Sequence, residues 1–341
     1  MIARALLAPI HLAQLASGAK SFRDNPVIGS RWLNERGLHV ARLRLAHALA
    51  ARRRAGLAHL LSPEDRTAFD RDGFVSRPDF LPPAAFAAIR DGVLNGCFPA
   101  REMVQGDTVT RRFAVDPGLI AQVPALRALL DDPRWRGLTR YVGSFDAEPI
   151  VYVQSILSGM RRAAPDPQTA FHADTFHPTV KAWLFLTDVA ADEGPFTYVP
   201  GSHRLTPARI EWERAMSLRA PHGVDRLSAK GSFRIAADEL PALGLGAPRA
   251  FAVPANTLVV GDTFGFHARG PSVRPSTRVE IWGYGRRNPF LPWAGLDPLS
   301  VPGLAERRAG WNWRWRDTLQ QLGVKGTAWA DVGLKAPADR S

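Results

Sequence analysis

Cysteine is almost absent from this 341-residue chain, with Cys97 standing alone. A single thiol excludes an internal disulfide framework and a thiolate-held metal cluster, and it suits a reducing compartment. No apolar run reaches the roughly 18 uninterrupted residues of a membrane-spanning helix. The opening MIARALLAPIHLAQLASGAKSF has an early arginine and an apolar middle, but Pro9, His11 and Gln14 interrupt it, which makes a poor secretory leader. A cytoplasmic protein is therefore expected, with association to a membrane surface as the open alternative. Acidic side chains are also short in number, 32 against 44 basic ones, for a formal charge of +12. The deficit is local. Residues 1–60 carry ten lysines and arginines against only Asp24 and Glu35. Such a segment can meet nucleic acid, anionic lipid or an acidic partner.

What the chain has in quantity is glycine (29) and proline (28), which favour many turns and short strands over a helical bundle. Residues 36–54, RGLHVARLRLAHALAARRR, read as a basic helix with Leu38, Ala41, Leu45 and Leu49 on one face. Two roles fit it: packing on the body with a solvated basic side, or lying on a membrane surface. Ser62-Pro63-Glu64-Asp65 is a strong helix start, with serine as cap, proline at the first position and acids near the positive helix end. The sequence divides there into a basic helical extension, 1–61, and a domain, 62–341. Helical patterns follow at 83–93, 120–130 and 135–142. From Pro149 the signal turns to strands: PIVYVQSIL, the stretch opening His172-Ala173-Asp174, 180–186, 196–199, 250–253, 257–260 and 277–283. Helices gathered before a block of strands predict an α+β protein with an antiparallel sheet or barrel. The C-terminal GWNWRWRDTLQQLG predicts a helix that packs its tryptophans back on the body.

His172 and Asp174, two apart on an extended segment, share a face. Alone this is a weak signal, since such tripeptides also arise on surface strands. His267, in GDTFGFHARG, and Arg278, at the start of RVEIWGYG, change its weight. Two histidines and one carboxylate with open positions suit non-haem Fe(II) and dioxygen. A guanidinium on the next strand can hold one end of a dicarboxylate whose other end chelates the metal, or it can form a structural ion pair.

Two blocks, FHAD…VKAWLFLTDVAADEGPFTYVPGSHR and GDTFGFHARGPSVRPSTR, resemble the phytanoyl-CoA dioxygenase family of Fe(II)/2-oxoglutarate-dependent oxygenases, over about residues 69–289. The resemblance implies a double-stranded β-helix, a jelly-roll or cupin-like barrel flanked by helices. It implies His172, Asp174 and His267 as iron ligands, and Arg278 as the residue binding the distal carboxylate of 2-oxoglutarate. It further implies a dioxygenase that consumes 2-oxoglutarate and O2 and hydroxylates an unactivated C–H bond of a small or lipid-like substrate. Related halogenases replace the carboxylate ligand, so Asp174 favours hydroxylation or another oxidation. Arg269, two past the distal histidine, departs from the small hydroxyl residue often found there. Gln154 is a further candidate contact for 2-oxoglutarate, with a core-bonded or outward glutamine as the alternative. His177, Lys181 and Thr187 are candidates for the pocket wall; His203, Asp188 and Asp262 read as loop-fixing residues. Two other functions stay open. A same-fold oxygenase acting on nucleic acid is not favoured, because no basic-aromatic interleaving marks the site, and a non-catalytic barrel-fold binding protein is opposed by the intact triad.

Overall fold

The computed structural model describes residues 8–324 and 326–340. The first seven residues of the leader-like start lie outside them. Among the described residues no helix is long and apolar enough to cross a membrane.

The strands are β1 (Phe74–Arg77), β2 (Phe98–Gln105), β3 (Thr108–Ala114), β4 (Ile150–Ser158), β5 (Val180–Phe185), β6 (Phe196–Tyr198), β7 (Arg249–Ala250), β8 (Leu258–Asp262), β9 (His267–Arg269), β10 (Ser276–Gly285) and β11 (Ala330–Lys335). Eight of them form one antiparallel sheet in the order β1-β8-β5-β10-β4-β3-β2-β11, and a smaller sheet has the order β7-β6-β9. Trp183, Phe185, Trp282 and Val259 of the large sheet pack with Phe196 and Tyr198 of the small one, so the two sheets face each other as a double-stranded β-helix.

Strand alternation decides which residues meet the site. Along β10, Val279 and Ile281 point to a helical layer outside the large sheet, where Phe69, Ile89, Leu126, Trp135, Leu138 and Val142 complete the main core. Arg278, Trp282 and Tyr284 point the other way, into the barrel. Gly283 breaks the outer row for a steric reason. A Cβ there would stand 3.2 Å from the Trp135 ring, which instead lies on the bare strand.

The helix at Ser62 forms as expected: Ser62 Oγ accepts from Asp65 N, and the helix Pro63–Asp72 stops at Gly73, whose φ is +86°. Residues 120–130 form two short helices, Pro117–Gln122 and Ala125–Asp131, broken around Val123-Pro124. The basic helix, here α1, spans Leu38–Leu57, but its packed face differs from the one expected. Ala41 and Leu45 are exposed, while His39, Arg42, Leu43, Ala46, Ala50 and Arg53 are buried. Two arginines can enter because carbonyls receive them. Arg42 donates to the carbonyls of Leu15, Ser17 and Ala19, and Arg53 to those of Ser144, Pro289 and Leu291. Arg54 adds an ion pair to buried Asp262 at 2.9 Å. Of the three tryptophans in the helix Arg308–Gln321, Trp313 packs back, stacking on Tyr152 at 5.7 Å, whereas Trp311 and Trp315 lie on the outer face, 38% and 63% exposed.

Candidate metal centre and its cavity

His172-Ala173-Asp174 is extended but belongs to no regular strand. His172 forms isolated bridges to Arg234 and to His267. The two histidines exchange both backbone hydrogen bonds at 3.0 Å, which sets them side by side from distant parts of the chain. Each ring is oriented by its own backbone: His172 Nδ1 donates to the Ala170 carbonyl at 2.8 Å and His267 Nδ1 to the Gly265 carbonyl at 2.9 Å. The proton is thereby held on Nδ1, and the Nε2 lone pairs face inward. They lie 3.9 and 3.7 Å from Asp174 Oδ1, and one ligand atom from each residue falls within 4.8 Å of the others.

The electrostatics suit a cation. Burial holds both imidazoles in the neutral form that ligates, His172 well below the ordinary range and His267 down to about 4, against the opposing pull of Asp174. Burial alone would raise Asp174, but the Lys181 ammonium and the two imidazoles more than reverse this, and it stays ionised. Its oxygens are divided: Oδ1 faces the histidines, while Oδ2 is 2.6 Å from Lys181 Nζ. Two neutral nitrogens and one directed carboxylate oxygen fit a divalent metal that keeps further positions open.

On the facing wall a hydrogen-bonded row crosses three strands. Arg112 Nε donates to Gln154 Oε1 at 2.8 Å, Gln154 Nε2 to Glu280 Oε1 at 2.7 Å, and Arg278 Nε to Glu280 Oε2 at 2.9 Å. Arg278 Nη1 also donates to the Gly194 carbonyl, which leaves Nη2 for a ligand. Both ends of the Gln154 amide are thus engaged inside the wall. Arg269 pairs with Asp166, a carboxylate supplied by the loop before the triad, so the departure noted in the sequence has its own local partner.

Triad and row enclose one cavity of about 350 Å³. His172, Asp174, His267, Arg278, Gln154 and Lys181 all line it. Thr187 and His177 do not: Thr187 Oγ1 accepts from Val279 N, and His177 is buried with Nδ1 directed to the Pro178 carbonyl. Asp188 and Asp262 fix loops through the amides of Ala255, Thr179 and Phe264. His203 sits in its turn against Phe69. Among the lining residues that escaped the sequence reading are Lys20, Arg112, Trp282 and Arg286. Lys20 was hidden in a segment without strand signals. Trp282 was readable in principle, because it lies four residues from Arg278 and strand alternation puts both on one face.

The two facing sheets, with two histidines and a carboxylate on the inner wall, define the fold as a double-stranded β-helix with a candidate metal site. The profile of the phytanoyl-CoA dioxygenase (PhyH) family matches residues 69–223. That segment is similar to the phytanoyl-CoA dioxygenase family, and His267 and Arg278 lie beyond it. No curated protein matches. Among solved structures, the chain is similar to the non-heme alpha-ketoglutarate-dependent carbocyclase SnoK of nogalamycin biosynthesis, with 23% identity over 67% of this chain and 84% of that one and a TM-score of 0.42. It is similar to the epimerase SnoN, solved with Fe3+, alpha-ketoglutarate and nogalamycin RO, at 21% identity over 67% and 83%, with a TM-score of 0.43. HygX of Streptomyces hygroscopicus, solved with nickel, 2-oxoglutarate and hygromycin B, is 18% identical over 66% and 87%, with a TM-score of 0.40.

Proposed function

We propose that the protein is an Fe(II)- and 2-oxoglutarate-dependent dioxygenase that hydroxylates an unactivated C–H bond of a small organic molecule. The observation that carries this reading is a pairing within one cavity: a neutral-histidine and carboxylate triad on one side, and Arg278 on the other. His172 Nε2, His267 Nε2 and Asp174 Oδ1 would hold the metal, and Arg278 Nη2 would take the distal carboxylate of 2-oxoglutarate as a charge-assisted bond. With iron, 2-oxoglutarate and O2 bound, the centre supplies an oxidant strong enough for C–H cleavage, at the cost of oxidative decarboxylation to succinate and CO2.

The chain's own residues prepare that chemistry. The Ala170 and Gly265 carbonyls fix the ligand tautomers, so no proton must leave Nε2 when a cation arrives. Lys181 holds Asp174 Oδ2 and leaves Oδ1 to the metal. Glu280 orients Arg278 from the same strand face. Trp183, Phe196 and Trp282 make the apolar part of the wall and limit water around the reacting carbon.

The test is calorimetric titration of the full chain with Mn(II) as an inert stand-in, followed by 2-oxoglutarate. His172→Ala and Asp174→Ala should each lose Mn(II) binding by at least about 100-fold while circular dichroism stays native. Arg278→Ala should weaken 2-oxoglutarate by at least about tenfold and leave Mn(II) nearly unchanged. Full Mn(II) affinity in both triad variants would remove the metal assignment.

A further inference from the structure

The cavity holds more positive charge than the triad and 2-oxoglutarate require. Six basic side chains line it, Lys20, Arg112, Lys181, Arg269, Arg278 and Arg286. Three have a carboxylate each: Lys181 with Asp174, Arg269 with Asp166 and Arg278 with Glu280. Among the described residues Lys20, Arg112 and Arg286 have no acidic partner within ion-pair distance. Their bonds go to neutral groups: Lys20 to the Asp174 backbone carbonyl, Arg286 to the Gly18 carbonyl and Arg112 to Gln154. A divalent metal and a doubly charged 2-oxoglutarate cancel each other, so these three charges remain.

Two of them are neighbours. Lys20 comes from the basic extension, held by the three Arg42 bonds to carbonyls 15, 17 and 19. The same segment is pressed close to the chain at Gly231, where a Cβ would stand 2.1 Å from the Lys20 carbonyl oxygen. Arg286 follows β10 directly, reaches the same segment at Gly18 and is exposed toward solvent. The third, Arg112, lies 3.9 Å over the Trp282 ring, and Trp282 and Tyr284 stack parallel at 5.6 Å. The wall between the cations is therefore aromatic.

Resting on the reading of this cavity as the active site, we infer that the substrate is an anionic small molecule with an apolar, flat body. Its carboxylate or phosphate is held by Lys20 and Arg286, and its body lies on Trp282 and Tyr284 toward the triad. The basic extension is then part of the active-site wall, and Lys20 and Arg286 are specificity residues. An amine substrate would meet three uncompensated like charges.

The test uses the full chain with Mn(II) and saturating 2-oxoglutarate, titrated with matched probes: 1-naphthoate against 1-naphthamide, phenyl phosphate against phenol, and benzylamine. The anionic member of each pair should bind at least about tenfold more tightly than the neutral one, and benzylamine should not bind. Arg286→Gln and Lys20→Gln should each reduce that preference to about threefold or less, and Arg286→Lys should restore most of it. Carboxylate and phosphate pairs compared side by side show which anion the subsite takes. Equal affinity for charged and neutral probes would overturn the inference. So would anionic probes that only compete with 2-oxoglutarate, or a preference indifferent to Arg286. If Mn(II) and 2-oxoglutarate fail to bind while the Arg286-dependent preference persists, the proposed reaction fails and the anion site stands.

Discussion

At the scale of single residues, the site shows how a fully buried charge is kept. Glu280 has no exposed surface and receives hydrogen bonds from Gln154 and Arg278. Removing one partner of such a group leaves the other uncompensated, which costs more than the pair contributes. Glu280→Ala should lower unfolding stability by about 3–5 kcal/mol in a urea titration, and Glu280→Gln by much less, because an amide can still accept from Arg278. A wild-type midpoint for Glu280→Ala would show that Arg278 is satisfied without it. The two-residue spacing of His172 and Asp174 was legible in the sequence, and the family resemblance added His267 and Arg278. The sequence did not show Glu280 as the partner of Arg278, although the two are separated by two residues and alternation places both on one face. Lys20 had no comparable signal, since its role depends on a loop path that only tertiary contacts define.

At the scale of elements, turn and cap chemistry was the most legible part. Ser62-Pro63 and Gly73 bracket a helix as their chemistry requires, and the β-branched runs became β4, β5 and β10. Helix α1 shows where patterning misleads. Its leucine stripe suggested one buried face, but the buried side mixes His39, Arg42 and Arg53 with Leu43, Ala46 and Ala50, and carbonyls from loops far along the chain accept from Arg53. Those acceptors carry no sequence mark. Arg53→Met should therefore cost about 3 kcal/mol, because carbonyls of Ser144, Pro289 and Leu291 lose a donor together. Arg44→Met, on the exposed side, should stay within about 0.5 kcal/mol. Hydrogen exchange in α1 should rise in the first variant and not in the second.

At the scale of the whole molecule, buried neutral histidines set the acid limit. Burial, with Arg54 close by, lowers His47 and His203 from 6.5 to about 3 each. The folded state then binds fewer protons than the unfolded chain below about pH 6.5, so this contribution is complete above that value and declines as pH falls toward 3. Melting temperature should drop between pH 7 and 5, with each group adding up to about 1.4 kcal/mol per pH unit. His203→Gln should flatten the slope, whatever it does to the midpoint at pH 7.5; an unchanged slope would remove His203 from the account. The row through Arg112, Gln154 and Glu280 has an effect on the same scale. These three stand directly opposite one another across β3, β4 and β10. A slip of β10 by two residues would keep every side chain on its own face, so hydrophobic patterning alone cannot forbid it. It would, however, set the Glu280 carboxylate against Tyr152 or Ile156 in place of an amide donor. The polar row is thus an alignment key for the barrel, and it admits one pairing of the strands that carry the site.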